Sequence, residues 1–197
     1  LRQDKTVTMF LDAQAKFLKL KSKPALIFVA DKTYHEGVVG LVAGRLAEKF
    51  HRPAAVAALG DNYFKASIRS IKGFNAIKSI RSLEAYLLEH GGHELAAGFT
   101  AANKNLKILK SKLENLAKKS LSKKDLEPIL QIDCEIKLSD ITGDLFKDLE
   151  QFKPFGFSNP QPVFCTKEVE LTDFRSVGQE QKHLKLKLEK FDAIAFN

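Results

Sequence analysis

The sequence has no tryptophan, one methionine and only two cysteines in 197 residues. Cys134 and Cys165 form no CxxC pair, so by themselves they make neither a zinc site nor a disulfide scaffold. A reducing, cytoplasmic setting is the expectation. Long hydrophobic runs are also missing. The stretches Ala25 to Ala30 and Ala54 to Leu59 are far too short to cross a bilayer, so no membrane partner is expected. Residues 1–20 are amphipathic and charged, which is not the pattern of a signal peptide. There is no internal repeat and no low-complexity segment. A hydrophobic content of 44% excludes global disorder.

What is abundant is positive charge. Lys and Arg number 32 against 24 Asp and Glu, a formal net charge of +8, with an isoelectric point near 9.4. Such an excess favours an anionic partner, although alone it shows only solubility and nonspecific attraction. The excess is uneven. Residues 1–120 hold 21 basic and 10 acidic residues, net +11, whereas residues 121–197 hold 11 and 14, net −3. This shift, with the polar stretch Lys118 to Lys124 and Pro128 after it, predicts two domains. The expected division is a connecting helix over 1–23, an α/β domain over 24–120, a linker over 121–128 and a second domain over 129–197.

Periodicity fills in the first domain. Val7, Phe10, Leu11, Gln14, Phe17 and Leu18 predict the apolar face of a helix ended by Pro24. Ala25 to Ala30 and Ala54 to Leu59 suit buried strands. Between them Val38, Val42, Leu46 and Phe50 recur every four residues and predict a helix. After the turn Gly60-Asp61-Asn62, Phe64 to Arg69 reads as a strand antiparallel to its predecessor. Asn75 is expected to cap a helix carrying Ile77, Ile80, Leu83 and Leu87, terminated by Gly91-Gly92. Leu95 to Thr100 suits one more strand, and Leu106, Leu109, Leu113 and Leu116 a last helix. In the second domain, strand-like runs at 129–138, around Val163, and at 169–177, 183–188 and 192–196 surround one short helix over 143–152. This suggests a small barrel.

Three loops carry candidate chemistry. Thr33-Tyr34-His35-Glu36-Gly37 has capping-box spacing. The ordinary reading, a helix start with an exposed histidine, outweighs an anion site at a helix N-terminus. In Lys65-Ala66-Ser67-Ile68-Arg69, strand alternation puts Lys65, Ser67 and Arg69 on one face. A hydroxyl and a guanidinium at that spacing suit phosphate oxygens, and a solvent-facing edge explains them about as well. In Gly91-Gly92-His93-Glu94-Leu95-Ala96-Ala97-Gly98, a helix C-cap accounts for Gly91. It does not account for His93 or for the small residues that follow, which let a ligand or backbone approach closely. Bare glycines beside an imidazole suit phosphate contact with proton donation or hydrogen bonding.

Together, His35 to Gly40, Ser67 to Ser70 and Gly91 to Gly98 stand in the order and spacing of the DHH-associated domain, and the first part of the chain resembles that domain. Pro154 to Phe164, Val177-Gly178 and His183 to Leu186 resemble the OB-fold domain of the RecJ family of single-strand-specific 5′→3′ DNA exonucleases. Arg2-Gln3 resembles the long helix that joins the catalytic domain of that family to this region. The resemblance implies an α/β DHH-associated domain with a mixed sheet covered by helices, followed by a partial β-barrel. That OB-fold is expected to be incomplete, because the last residues match one of its inner strands.

The resemblance also assigns roles. Ser67 and Arg69 would hold the 5′-terminal phosphate of single-stranded DNA. Gly92 and His93 would face the scissile phosphate, with His93 catalytic, and Gly91, His35 and Lys65 would add phosphate or DNA contacts. The OB domain would guide the strand, with Lys182, Lys185 and Lys187 tracking its backbone. The family uses manganese or magnesium held by its N-terminal DHH domain. This chain has no Asp-His-His motif and is expected to hold no metal and to be inactive alone. Single-strand-binding protein is the protein partner considered. The family usually has Pro at Glu36, Gly at Ala66 and Pro-Gly at Phe157-Ser158. Phe152, Phe155, Phe157, Phe164, Phe174, Phe191 and Phe196 are expected mainly as core rather than as stacking platforms. The alternatives are a stand-alone nucleic-acid or phosphate-binding module, or part of another DHH-family phosphodiesterase.

Overall fold

Alternating strands flanked by amphipathic helices need two helical layers to bury both faces of a sheet, and the computed structural model has this form in its first part. It describes residues 2–156 and 158–196. Leu1, Phe157 and Asn197 lie outside the described residues, and with them the first residue of the expected connecting helix and the centre of the loop at 155–160. The chain forms two compact units, Leu1–Pro128 and Ile129–Asn197.

The first unit runs α1 (Arg2–Leu18), β1 (Ile27–Asp31), α2 (Val39–Phe50), β2 (Ala54–Leu59), β3 (Tyr63–Arg69), α3 (Ala76–Arg81), β4 (Glu89–His93), β5 (Ala96–Ala102) and α4 (Leu106–Ser120). The sheet order is β1-β2-β3-β5-β4. β1 and β2 are parallel, and the other pairings are antiparallel. One face packs Phe28, Ala55, Phe64, Ile68 and Phe99 against Ile80, Leu109 and Leu113. The Phe64 and Phe99 rings meet edge-on at 6.0 Å. On the other face Ile27, Val29, Ala54 and Val56 lie with Val42 and Leu46 of α2 and Phe17 of α1. Each such large side chain contributes about 1.5–3 kcal/mol by leaving water.

The face that α1 buries is only partly the expected one. Phe17 is buried and Phe10 and Gln14 are half-buried, but Val7, Leu11 and Leu18 are exposed, and Thr6, Met9 and Ala13 are buried in their place. Phe17 packs on Phe50 at 4.6 Å between ring centres. A polar cluster fixes this roll. Lys16 Nζ lies 2.6 Å from Asp12 Oδ2 and 2.5 Å from Asp31 Oδ2, while Tyr34 Oη donates to Asp12 at 2.6 Å. The hydrogen bond from Lys16, with help from Thr33, draws the Asp31 carboxyl down to about 2. Burial, then the bond to Asp12, pushes the Tyr34 phenol up.

Two further expectations fail. Thr33 does not cap α2, because its N–H and Oγ1 both turn to Asp31 Oδ1 at 2.9 and 2.8 Å. The residue before α2 is Val38, which makes no side-chain cap. The helix after Asn75 is also far shorter than expected. Asn75 Oδ1 does accept from Lys78 N–H, but Ser79 and Ser82 bond back to backbone carbonyls, and α3 ends at Arg81. A 3-10 turn at Glu84–Tyr86 follows, and Gly91-Gly92 belongs to strand β4 rather than to a helix end. β5 would otherwise have an open edge, and β4 pairs along it.

The second unit contains β6 (Cys134–Glu135), α5 (Gly143–Glu150), β7 (Phe164–Cys165), β8 (Leu171–Val177), β9 (His183–Leu188) and β10 (Phe191–Phe196). β8, β9 and β10 form an antiparallel sheet in the order β10-β9-β8, and β6 and β7 form a two-stranded parallel one. These sheets are open and do not close a barrel. The strand expected over 129–138 is reduced to two residues, and Leu138 begins a 3-10 turn. Among the described residues of this unit only Leu138 is buried. The phenylalanines expected in a core are therefore not there: Phe152, Phe174 and Phe196 are each more than 60% exposed, and Phe155, Phe164 and Phe191 are half-buried. Open sheets leave ring faces without a second layer to cover them.

Candidate phosphate-binding site

In β3 the side chains of Phe64, Ala66 and Ile68 enter the core, which turns Lys65, Ser67 and Arg69 to the opposite face. Directly opposed residues of antiparallel strands share a face. Lys65 therefore shares a row with Thr100 and Glu89, Ser67 with Gly98 and Gly91, and Arg69 with Ala96 and His93. On this same face α2 lies over β2 and reaches β3, and α1 lies against β1. Beyond β3 a cavity of about 770 Å³ opens, lined by Lys65, Ser67, Arg69, Gly91, Gly98 and Thr100, and by Arg2, Glu36 and Gly40 from outside the sheet.

Ser67 and Arg69 act as one unit. Arg69 Nη1 donates to Ser67 Oγ at 3.1 Å and to the Ile68 carbonyl at 3.3 Å. The first turn of α2 rests on this pair. A Cβ at Gly40 would stand 3.1 Å from Ser67 Oγ and 3.2 Å from Arg69 Nη2, tighter than ordinary contact. Val39 and Gly40 of that turn line the cavity, so the positive end of the helix adds to the field there. Arg2, at the start of α1, donates to the Gly37 carbonyl at 3.2 Å and lines the same cavity. Gly98 allows the close approach expected of it. The roles of Gly40 and Arg2 are not evident from the sequence, where the only signals are a small residue inside the first motif and a lone Arg near the start.

Gly92 has φ +139°, and any Cβ there would overlap Ala96 O and Ala97 Cα. It brings β4 close to β5 and leaves Glu94-Leu95 as a two-residue turn. Ser70 N–H to Leu95 O at 2.9 Å and Ala76 N–H to Glu94 O at 2.8 Å hold that turn. His93 sits at its start, exposed, in Arg69's row one strand beyond Ala96, and outside the cavity lining. Gly92 is likewise outside the lining, and Gly91 is within it. His35 is not brought in. Its Nδ1 accepts from Gly37 N–H at 3.1 Å, which folds the imidazole onto its own loop. Lys65 Nζ meets Glu36 Oε2 at 2.9 Å. That bond holds the Glu36 carboxyl below its usual range and raises the Lys65 amine.

In the second unit, register places Lys185 and Lys187 on one face with Arg175, Asp173 and Asp192. Lys187 Nζ is 3.6 Å from Asp192 Oδ1. The same face carries His183 and Phe196, whose rings meet at 5.2 Å. Lys182 precedes the strand and pairs with Glu180. Arg175 and the His183–Phe196 ring pair stand on the face that carries Lys185 and Lys187.

Comparison with known proteins decides the family. Residues 22–120 match the DHHA1 domain and residues 132–197 the RecJ OB domain. The chain belongs to the RecJ family. It is 33% identical over 177 residues to the single-stranded-DNA-specific exonuclease RecJ of Bacillus subtilis, covering 87% of this chain and 22% of that protein. Against Escherichia coli RecJ the identity is 31%, covering 83% and 30%. The crystal structure of RecJ from Thermus thermophilus in complex with Mg2+ superposes with a TM-score of 0.81 at 26% identity, over 100% of this chain and 30% of that one. The chain thus spans less than a third of the length of these RecJ proteins. Crystal structures of Thermus thermophilus RecJ hold Mg2+ or Mn2+. Among the described residues here, no group of three or more His, Cys, Asp or Glu side chains comes together. The donor set of the described residues does not fit such an ion.

Proposed function

We propose that this chain is the substrate-holding part of a RecJ-type exonuclease that removes nucleotides from the 5′ end of single-stranded DNA. The observation that carries this reading is the Ser67–Arg69 pair, already hydrogen-bonded together at the floor of an open cavity. A guanidinium and a hydroxyl so arranged offer several donors to the oxygens of one terminal phosphate. Cleavage belongs to the whole protein, and within it His93, on the same sheet face as Arg69, serves the scissile phosphate as a hydrogen-bond or proton donor. The second unit guides the strand through Arg175, Lys185 and the exposed Phe196 ring. The setting is cytoplasmic, and single-strand-binding protein is the natural source of the substrate strand.

The test is Arg69→Ala in the full-length protein. Discrimination between 5′-phosphorylated and 5′-hydroxyl single strands should fall by about tenfold or more, as expected for losing one charged hydrogen-bonding partner. An unchanged ratio of kcat/KM for the two substrates would refute the phosphate role.

A further inference from the structure

The cavity is not uniformly basic. Arg2, Lys65 and Arg69 are set against two carboxylates, Glu36 and Glu89, and these are unevenly placed. Among the described residues Arg69 has no carboxylate partner, and its guanidinium is turned to Ser67. Lys65 is flanked by acid on both sides. Glu36 binds it at 2.9 Å, and Glu89 stands in its row across Thr100. Both acids act on the Lys65 amine: the bond to Glu36 raises it first, and the charge of Glu89 adds to that. The Ser67–Arg69 end of the cavity therefore offers uncompensated donors, whereas at the other end two carboxylates face Lys65, with Arg2 held to the Gly37 carbonyl beside them.

Lys65 lies two residues along β3 from Ser67, a distance of roughly 7 Å. A single phosphate seated on Ser67 and Arg69 reaches the cavity's positive end only. Further phosphates on the same 5′ end would extend toward Lys65, whose charge Glu36 has satisfied. There they would meet the carboxylates of Glu36 and Glu89 within a Debye length, so their repulsion is felt at low salt.

We propose that Glu36 is a specificity-determining residue that, by holding Lys65, restricts the cavity to 5′ ends bearing a single phosphate and disfavours 5′-triphosphate ends. This rests on the reading of Ser67 and Arg69 as the terminal-phosphate site. Glu36 does not touch the first phosphate. It sets the charge that the second and third encounter.

The experiment is fluorescence anisotropy with this chain at about 50 mM salt, a concentration at which charge effects remain visible. Three single strands of one sequence would be used, with a 5′-hydroxyl, a 5′-monophosphate or a 5′-triphosphate. Glu36→Gln, at an exposed position, should tighten the triphosphate strand by about tenfold and the monophosphate strand by about threefold or less. It should leave the hydroxyl strand unchanged. Adding Lys65→Met to that variant should remove the gain, because the freed cation is its source. Equal changes for all three strands, or none, would overturn the proposal. Arg69→Ala separates the two layers of the inference. If it abolishes the monophosphate preference while Glu36→Gln acts equally on all strands, only the role of Glu36 is lost. If Arg69→Ala leaves that preference intact, the phosphate site falls and the proposal falls with it.

Discussion

On one face of the five-stranded sheet, neighbouring strands are put to opposite uses. Across β1 and β2 the outward residues are Ile27, Val29, Ala54 and Val56, sealed beneath α1 and α2. Across β3, β5 and β4 the equivalent positions are Lys65, Ser67, Arg69, Gly98 and Gly91, and the helical cover ends on β3, where α2 rests on Ser67 and Arg69. Val56 and Ser67 are direct register partners, one in the core and one in the cavity. The same pleat thus supplies both a packed layer and a rigid floor for donors, and the border between them is the first turn of α2. A site built on strands at such a border inherits the stiffness of the core beside it.

The sharpest way to break this comparison is to put the same charge on both sides of the border. Val56→Asp would bury an unpaired carboxylate, and the loss of about 3–5 kcal/mol or more expected from such a group should appear as failure to fold in urea titration. Ser67→Asp, its register partner, should change stability by less than about 1 kcal/mol, because Arg69 lies beside it in a half-open setting. It should nonetheless abolish preference for a 5′-phosphate. A collapse of both variants would mean that the cavity is structurally part of the core. Next in size is Gly92→Ala, which forces a side chain onto a positive φ and into the backbone of β5. A loss of about 1–3 kcal/mol in thermal unfolding is expected, against almost none for Gly91→Ala, where a Cβ meets nothing within 4 Å.

The smallest effect concerns acid. The carboxyl of Asp31, at the end of covered β1, is drawn from 3.8 to about 2. A folded-state value below the unfolded one means that the group stabilises the fold above about pH 4. That contribution is lost as pH falls through about 2. Asp31→Asn should therefore flatten the acid side of the stability profile, measured by urea unfolding between about pH 4.5 and 2.5.

Much of the open half was legible because its signal is short-range. A period of two along Lys65-Ala66-Ser67-Ile68-Arg69 sorts the side chains by face wherever the strand pairs, and the alternating core residues Phe64, Ala66 and Ile68 confirm the phase. Gly91-Gly92 was not legible in the same way. A glycine pair after an apolar helical pattern reads as a stop, yet here it lets β4 press against β5, and both uses exploit the same freedom. The roll of α1 also escaped the pattern. Val7 and Leu11 are more apolar than Thr6 and Ala13, but small Ala13 permits close packing on α2 and Lys16 must reach Asp31, a partner 15 residues away. In the second unit alternation marks most of the strands. The fate of their phenylalanines depends on sheet closure, which alternation does not encode.

One modest contact bears on how the first unit comes into being. Glu114 of α4 accepts from the N–H groups of Ala25 and Leu26 at 3.2 Å each, 89 and 88 residues back in the chain. The entry to the first strand is thus held by the final helix. As the polypeptide leaves the ribosome, those amides stay wet until α4 has been made, and the opposite layer over Phe28 and Ile68 also waits for Leu109 and Leu113. The lysine-rich helix that ends the domain is consequently its last assembly step, and chains truncated before residue 106 should accumulate as aggregation-prone intermediates rather than as smaller folded domains.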